Sequence, residues 1–325
     1  MLLTKKPILC NYYLTYRCNA KCSFCDIWEK PSPYVTVENV KQNLRDLKKL
    51  GVKVIDFTGG EPLLHRNLHK LLSLAKEFGF ITTVTTNCLL YPKRAESLKG
   101  LIDMLHFSLD SPNEEEHNES RGVKCYDKVV ESIAVAKSLG ERPDIIFTVH
   151  DQNIDQIKEV YEKFCKPNGT WLILNPIFSY NEVGESISKE NLKELETWAK
   201  KPMVYLNNAF LELRKQGGND INNPSCKAAT STVVISPENN LILPCYHLNK
   251  EEIPIRDNLF EIHKYDYRVE KAKEMQGKLP ECEGCTINCY FQPSFAVNLN
   301  KYWLKALPST IKYSIGKGTW KELVK

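Results

Sequence analysis

The segment Cys18-Asn19-Ala20-Lys21-Cys22-Ser23-Phe24-Cys25 places three thiols in one short loop, with the spacing C-x3-C-x2-C. Thiolates are the ligands that zinc and iron–sulfur clusters prefer, and a loop of this length can hold one inorganic centre. A structural zinc site or a ferredoxin-type cluster takes four protein ligands, so three thiolates leave one position open. The alternatives are a disulfide pair with a spare thiol, or three buried thiols, and the tight spacing disfavours both.

Length and composition limit the classes of protein to consider. The chain has 325 residues, a formal net charge of +4 and twelve cysteines. No arginine-rich block or repeated aromatic-basic pattern is present, which argues against a nucleic-acid partner. The first residues turn polar at once and no run of about 18 apolar residues follows, so we expect neither secretion nor a membrane span. Reduced, metal-bound thiols in the cytoplasm are therefore the expectation for this cysteine content.

Short β-rich runs alternate with amphipathic segments over most of the first 215 residues. Such alternation is typical of a parallel sheet with crossover helices, either open or curled into a barrel. The predicted strands are Ile8–Thr15, Val52–Thr58, Phe80–Thr86, Met104–Leu109, Ile145–Val149 and Trp171–Pro176. The predicted helices are Val37–Leu50, Leu68–Phe78, Pro92–Lys99, Tyr126–Leu139, Ile154–Phe164 and one long helix, Lys189–Arg214.

Residues that carry chemistry follow these strands at their carboxyl ends. The cysteine loop follows the first strand, and Gly59-Gly60-Glu61-Pro62 follows the second. Asn87 follows the third strand, and Ser108 and Asp110 mark the end of the fourth. Because parallel α/β sheets bind ligands at this edge, we expect these residues to form one site.

In this context the cysteine loop resembles the cluster motif of the radical S-adenosylmethionine (SAM) superfamily. The resemblance implies an α/β fold, a partial (β/α)6 TIM-like barrel with a small Cys-rich α+β C-terminal extension. It also implies a 4Fe–4S cluster on Cys18, Cys22 and Cys25, with SAM chelated at the open iron. The implied cofactor-binding residues are Phe24, Gly59, Gly60, Glu61, Pro62, Asn87, Ser108, Asp110 and Arg121. Arg121 resembles the family's partner for the SAM carboxylate, and Cys88 stands where the family usually has glycine.

A second set of cysteines lies in the last third of the chain: Cys226, Cys245, Cys282, Cys285 and Cys289. A C-x2-C pair with distant partners is a strong metal signal, and a structural zinc site is one interpretation. The order of a cysteine, a hairpin, a cysteine and then C-x2-C resembles the SPASM and twitch extensions, which carry auxiliary iron–sulfur clusters. We therefore predict one auxiliary 4Fe–4S cluster. The spacing leaves open which four of the five cysteines bind it.

The predicted domains are a radical SAM partial barrel (1–216), an auxiliary cluster domain (217–300) and a basic-aromatic tail (301–325). The polar segment 217–225 marks the first boundary. In the tail, lysines alternate with aromatic and aliphatic residues. This pattern suits a helix on an anionic membrane surface, and equally a helix packed on the barrel with its lysines in solvent.

The resemblance implies a radical enzyme that cleaves SAM reductively and abstracts hydrogen from an unactivated carbon of a substrate. It also implies an electron donor such as flavodoxin or ferredoxin. A peptide, a small molecule and a lipid all remain open as the substrate, because specificity loops carry no pattern that can be decoded. The alternative is a non-catalytic iron–sulfur or zinc protein that serves as an electron carrier or scaffold.

Overall fold

The computed structural model describes residues 6–180, 183–184 and 187–319. Its strands are β1 (Leu9–Tyr13), β2 (Val54–Thr58), β3 (Ile81–Thr86), β4 (Met104–Ser108), β5 (Asp144–Val149), β6 (Leu172–Pro176), β7 (Ser179–Tyr180), β8 (Val183–Gly184), β9 (Val204–Tyr205), β10 (Thr232–Ile235), β11 (Asn240–Leu243) and β12 (Glu251–Pro254). Its helices are α1 (Val37–Leu50), α2 (Leu68–Glu77), α3 (Tyr91–Leu98), α4 (Glu114–Arg121), α5 (Tyr126–Ser138), α6 (Ile157–Val160), α7 (Lys189–Trp198), α8 (Asn208–Lys215), α9 (Ala228–Ser231), α10 (Leu259–Tyr265), α11 (Tyr267–Met275), α12 (Asn288–Val297) and α13 (Lys301–Lys317).

Ten of these strands form one sheet in the order β12-β11-β10-β1-β2-β3-β4-β5-β6-β9. The six strands β1 to β6 are parallel neighbours in chain order, which confirms the predicted partial barrel. Two edge strands, β12 and β9, remain unpaired with each other, so the sheet is not closed. Sequential parallel strands with helices between them place all their carboxyl ends at one rim.

Helix α1 shows how local sequence defines these elements. The Thr36 hydroxyl accepts a hydrogen bond from the Asn39 N–H at 3.1 Å and caps the first turn. Gly51 ends the helix with a φ of 93°, which glycine adopts without strain. Between these caps, Val40, Leu44 and Leu47 are fully buried against the sheet.

The two faces of the sheet differ in exposure. In β2 the residues Ile55 and Phe57 are buried under helices, whereas Val54, Asp56 and Thr58 between them are partly exposed. The same alternation recurs in β6. Partly exposed side chains of β2 and β6 thus lie on the concave face of the sheet, and we call the space beside this face the lumen.

The predicted long helix Lys189–Arg214 is wrong. The segment instead forms α7, the short strand β9 and α8, and β9 pairs with β6 in parallel. Pro202 supplies the physical reason, because it lacks an N–H and disfavours helix in the residue before it. Met203 then has a φ of 53°, which turns the chain into the strand.

The predicted hairpin after residue 231 is confirmed, with β10 antiparallel to β11. Asn239 in its turn has a φ of 65°, a conformation that asparagine tolerates. Strand β10 also pairs in parallel with β1, so the sheet runs across the predicted boundary at residue 217. That boundary stays a prediction.

The tail forms helix α13 up to Lys317, and residues 320–325 of the predicted tail lie outside the described residues. Its Tyr313 ring packs against Tyr205 of β9, with ring centroids 4.6 Å apart. Leu304 and Ile315 on its outer side are 65% and 61% exposed. Within the described ranges, no helix has the length and apolarity needed to cross a bilayer. Contact with a membrane surface stays a prediction.

Candidate functional site

The three cysteines of the first loop lie at the carboxyl end of β1, and all three are half-buried. The loop turns back on itself, since the Cys25 N–H donates to the Cys22 carbonyl at 3.2 Å. Burial raises the pKa of Cys18 to about 11 and also raises the pKa of Cys25. Binding iron at these thiols must therefore displace protons, as metal binding to cysteine does in general.

The segment that ends α4 holds the cysteine loop in place. The Lys21 N–H donates to the Arg121 carbonyl and the Ser23 N–H to the Ser120 carbonyl, both at 3.0 Å. Gly122 follows, and a Cβ there would lie 2.4 Å from the Lys21 carbonyl oxygen. The loop can therefore lie this close to α4 only because residue 122 is glycine.

Gly59 and Gly60 lie against the backbone that follows β1, and their role in binding SAM stays a prediction. A Cβ on Gly59 would lie 2.1 Å from the Thr15 carbonyl oxygen, and one on Gly60 would lie 2.2 Å from that of Arg17. The two glycines thus let the loop after β2 pack directly on the backbone that leads into Cys18.

Glu61 is buried and its carboxylate is held by the protein. It accepts hydrogen bonds from the Leu63 N–H at 3.0 Å, the Thr86 hydroxyl at 2.8 Å and the Asn87 N–H at 2.8 Å. Burial raises its pKa, and these hydrogen bonds oppose the shift. Pro62 begins the short 3-10 turn that follows. Glu61 therefore joins the loops after β2 and β3 at the rim.

Asn87 connects this network to the cysteine loop. Its side-chain amide lies 3.9 Å from the Cys18 sulfur and donates to the Asn19 side chain at 2.8 Å. The next residue, Cys88, has a φ of 69°, the conformation for which glycine is usual. The chain thus keeps the tight turn after β3 with a cysteine in a strained conformation.

Asp110 and Arg121 form a buried ion pair beside the cysteines, with 2.6 Å between the Asp110 Oδ2 and the Arg121 Nη2. The Arg121 Nη1 also lies 3.9 Å from the Cys22 sulfur. Burial lowers the pKa of Arg121, but Asp110, Cys22 and Cys125 together more than offset that effect, and the guanidinium stays charged. The Arg121 Nε is buried without a hydrogen-bond partner among the described residues.

The remaining predicted cofactor residues lie around this pair. Ser108 is buried at the end of β4, two residues before Asp110. The Phe24 ring is 43% exposed and lies 5.4 Å from the Arg121 guanidinium, in cation–π geometry. His117, which sequence reasoning missed, is fully buried, and its Nδ1 accepts from the Asp110 N–H at 3.2 Å. It thereby orients the backbone at Asp110.

These features fit a SAM-binding cluster. Three thiols of one loop face a buried cation that has an unused N–H donor, and guanidinium groups suit carboxylates. Cys18, Cys22 and Cys25 would hold the cluster, and Arg121 would receive an anionic group such as the carboxylate of SAM.

The second set of cysteines divides into four and one. Cys226, Cys245, Cys282 and Cys285 line one cavity, together with apolar side chains such as Ile287, Tyr290 and Phe291. Burial raises the pKa of Cys226, Cys245 and Cys285 to about 12 each. Cys289 does not line this cavity, and it alone among the twelve cysteines is exposed.

Asn219, in the segment interpreted as a polar linker, organises this cavity. Its side-chain amide donates to the Gly277 carbonyl at 2.8 Å and to the Cys282 carbonyl at 3.2 Å. Its own N–H donates to the Cys285 carbonyl at 3.0 Å. The segment is thus part of the second site.

Arg214 supplies a buried positive charge near Cys285. Burial lowers its pKa to about 9, and Cys285 opposes the shift. Its guanidinium donates to the Ile177 carbonyl at 2.9 Å and to the Asn288 side chain at 3.0 Å. Neither Asn219 nor Arg214 has a sequence motif that would identify it.

Comparison with known proteins agrees with this geometry. The sequence profile described as "Radical SAM superfamily" matches residues 12–164. A probable GTP 3′,8-cyclase of Sulfurisphaera tokodaii is 28% identical over 281 residues, which is 80% of this chain and 88% of that protein.

Two solved structures share the fold. One is Streptococcus suis SuiB bound to the precursor peptide SuiA, with a TM-score of 0.70 and 18% identity, covering 90% of this chain and 71% of SuiB. The other is native anSMEcpe with bound AdoMet, with a TM-score of 0.64 and 17% identity, covering 98% of this chain and all of that one.

The three thiols, the Asp110–Arg121 pair, the parallel barrel and the matching profile all point to the same family. Its relatives are named as enzymes, which disfavours the alternative of a non-catalytic carrier or scaffold. A 4Fe–4S cluster and SAM are the cofactors of this family. Residues 12–164 match the radical SAM domain, and the chain is a radical SAM enzyme.

Proposed function

We propose that this enzyme cleaves SAM reductively and uses the product radical to abstract hydrogen from an unactivated carbon of a polar substrate in the lumen. Cys18, Cys22 and Cys25 would hold a 4Fe–4S cluster, which would supply the one electron that reductive cleavage of SAM requires. The observation that carries the proposal is the placement of three half-buried thiols next to the Asp110–Arg121 pair, whose Arg121 Nε lacks an acceptor among the described residues.

The residues of the chain would position SAM rather than act as acids or bases. Arg121 would hold the SAM carboxylate, and Asp110 would keep that guanidinium oriented. Ser108 would lie against SAM or the substrate. Glu61, Asn87 and the two glycines would fix the loops that surround the cluster. Positioning of this kind lets the cofactor perform the bond cleavage.

We also propose an auxiliary 4Fe–4S cluster on Cys226, Cys245, Cys282 and Cys285. Their shared cavity supports this choice of four ligands. Arg214 would balance part of the negative charge of four thiolates. Cys289 would remain a free thiol.

The character of the lumen narrows the substrate. Asp56, Thr85, His106, Thr148 and Asn175 are partly exposed on the concave face. Val54, Ile146 and Ile173 are partly exposed on the same face, and this mixture of polar and apolar side chains supports a peptide or a polar small molecule as the substrate. An external one-electron donor such as flavodoxin or ferredoxin would reduce the cluster.

Formation of 5′-deoxyadenosine from SAM tests the proposed reaction. Anaerobically reconstituted protein with dithionite should form it, and Cys22→Ala should abolish it. Cys165→Ala is the matched control, because Cys165 is buried away from both sites in the barrel core and should leave the rate unchanged. Equal product from wild type and Cys22→Ala would contradict the proposal.

A further inference from the structure

Asp56 is a carboxylate in the lumen that the proposed reaction does not use. It lies on the concave face of β2 and makes no side-chain hydrogen bond or ion pair with any residue in the described part of the chain. The surrounding protein raises its pKa to about 7, yet solvent still reaches it. An isolated carboxylate in such a place gains from a cationic partner.

The other acidic side chains bordering the barrel interior already have partners. Asp110 pairs with Arg121 at the rim, and Asp144 pairs with Lys317 at the opposite end. Glu61 accepts three hydrogen bonds at the rim. Among the described residues, Asp56 is therefore the acidic side chain of the concave face that has no cation or hydrogen-bond donor beside it.

The depth of Asp56 separates it from the SAM site. It precedes the end of β2 at Thr58 by two residues, which is about 7 Å along a strand. The proposed SAM-binding residues lie at or beyond the strand ends. A group that reaches Asp56 would therefore belong to the substrate.

Cys289 faces the same space, because helix α12 spans the opening of the barrel. On one side, the Asn288 side chain donates to the Asn175 side chain of β6 at 2.8 Å. On the other side, Tyr290 packs in one cluster with Tyr13 of β1. Cys289 lies between these two contacts and is exposed. Desolvation by the surrounding protein, together with Cys245 and Asp56, raises the pKa of its thiol.

We propose that the lumen binds a positively charged nitrogen group of the substrate, an ammonium or a guanidinium, on the carboxylate of Asp56 beside the Cys289 thiol. This inference deepens the proposed function and rests on it. Peptides with lysine or arginine side chains and polyamine-like small molecules carry such groups.

Cys289 supplies a built-in reporter for the test. Methanethiosulfonate reagents react with a thiolate to form a mixed disulfide and release methanesulfinate, and they react quickly enough to label a thiol with a raised pKa. The reconstituted protein is treated with the cationic 2-aminoethyl reagent or the neutral methyl reagent. Mass spectrometry measures the rate at Cys289, and visible absorbance verifies that the clusters stay intact.

For Cys289, the labelling rate with the cationic reagent is divided by the rate with the neutral reagent. This ratio is then divided by the same ratio measured for free 2-mercaptoethanol, which corrects for the intrinsic reactivity of the two reagents. In the wild type we expect this normalised ratio to be about ten. An effect of this size is expected when the cationic reagent approaches the Asp56 carboxylate in a partly solvated cavity. Asp56→Asn should bring it to about one, and Asp56→Glu should retain most of it. Asp127→Asn, which removes the same charge from the exposed first turn of α5, should leave it unchanged.

Three results would overturn the inference: a ratio near one in the wild type, a cation preference that survives in Asp56→Asn, or a Cys289 that neither reagent labels. The neutral reagent also checks that Asp56→Asn keeps a native lumen: because Asp56 contributes to the raised pKa of Cys289, this reagent should label the variant at least as fast as the wild type. No SAM cleavage occurs in this assay, so its failure is distinct from a failure of the proposed reaction.

Discussion

Lys317→Met should destabilise the protein, because it leaves a buried carboxylate without its cation. The Lys317 Nζ lies 3.0 Å from the Asp144 Oδ1, and the two side chains are only 5% and 0% exposed. Breaking a buried ion pair by removing one partner costs about 3–5 kcal/mol. The Tyr313 hydroxyl still donates to Asp144 at 2.5 Å, so we expect the lower end, about 3 kcal/mol.

Urea unfolding under anaerobic conditions measures this loss. Lys305→Met is the matched control, because Lys305 lies on the same helix, is exposed and makes no ion pair among the described residues. It should change the free energy of unfolding by less than about 0.5 kcal/mol.

The double variant Asp144→Asn with Lys317→Met should recover much of the lost stability, since it also removes the uncompensated charge. A cost for Lys317→Met no larger than that of the control would refute the reasoning. It would mean that α13 does not dock on the end of the barrel as described.

Three further predictions concern other parts of the chain. Gly60→Ala should lower the iron bound at the first site, because its Cβ would lie 2.2 Å from the Arg17 carbonyl oxygen. Gly100→Ala is the control: it strains the backbone at a φ of 73° but meets no atom within 4 Å, so it should bind iron normally. Burial and Lys317 lower the pKa of His106 in the folded protein to about 3. In the unfolded chain this histidine binds a proton below about pH 6.5, so the free energy of unfolding should fall as the pH drops below that value. Urea unfolding between pH 7 and pH 5 measures how steeply the free energy of unfolding depends on pH. His106→Asn should reduce that slope by up to about 1.4 kcal/mol per pH unit, and equal slopes for the variant and the wild type would contradict the prediction. If the tail meets an anionic membrane, removing residues 301–325 should reduce co-sedimentation with phosphatidylserine vesicles, and equal recovery would exclude that contact.

The sequence predicted the features that depend on local pattern. The alternation of β-rich runs with amphipathic segments predicted the six parallel strands. The rule that ligands bind at the carboxyl ends of such strands predicted that the first cysteine loop and Asp110 lie in one site. The rule holds because parallel strands share one rim. The sequence did not predict that Gly59 and Gly60 pack against the backbone at Thr15 and Arg17, because those residues are far away in sequence.

Features that depend on tertiary contacts could not be predicted from the sequence. Asn219 lies in a segment whose composition indicates a linker, yet its side chain joins Gly277 and Cys282 through hydrogen bonds. Asp56 is one polar residue in an alternating strand, and only the open concave face gives it a role. The separation of Cys289 from the other four cysteines likewise follows from the position of α12.

We propose that the two cysteine sets hold two separate 4Fe–4S clusters. Iron and acid-labile sulfide per chain, measured after anaerobic reconstitution, are the direct test of this proposal. The wild type should bind about eight irons and eight sulfides, and each site should account for about four. Replacing Cys18, Cys22 and Cys25 with alanine should leave about four irons, and replacing Cys226, Cys245, Cys282 and Cys285 should do the same. Four irons with one zinc in the wild type would contradict the proposal.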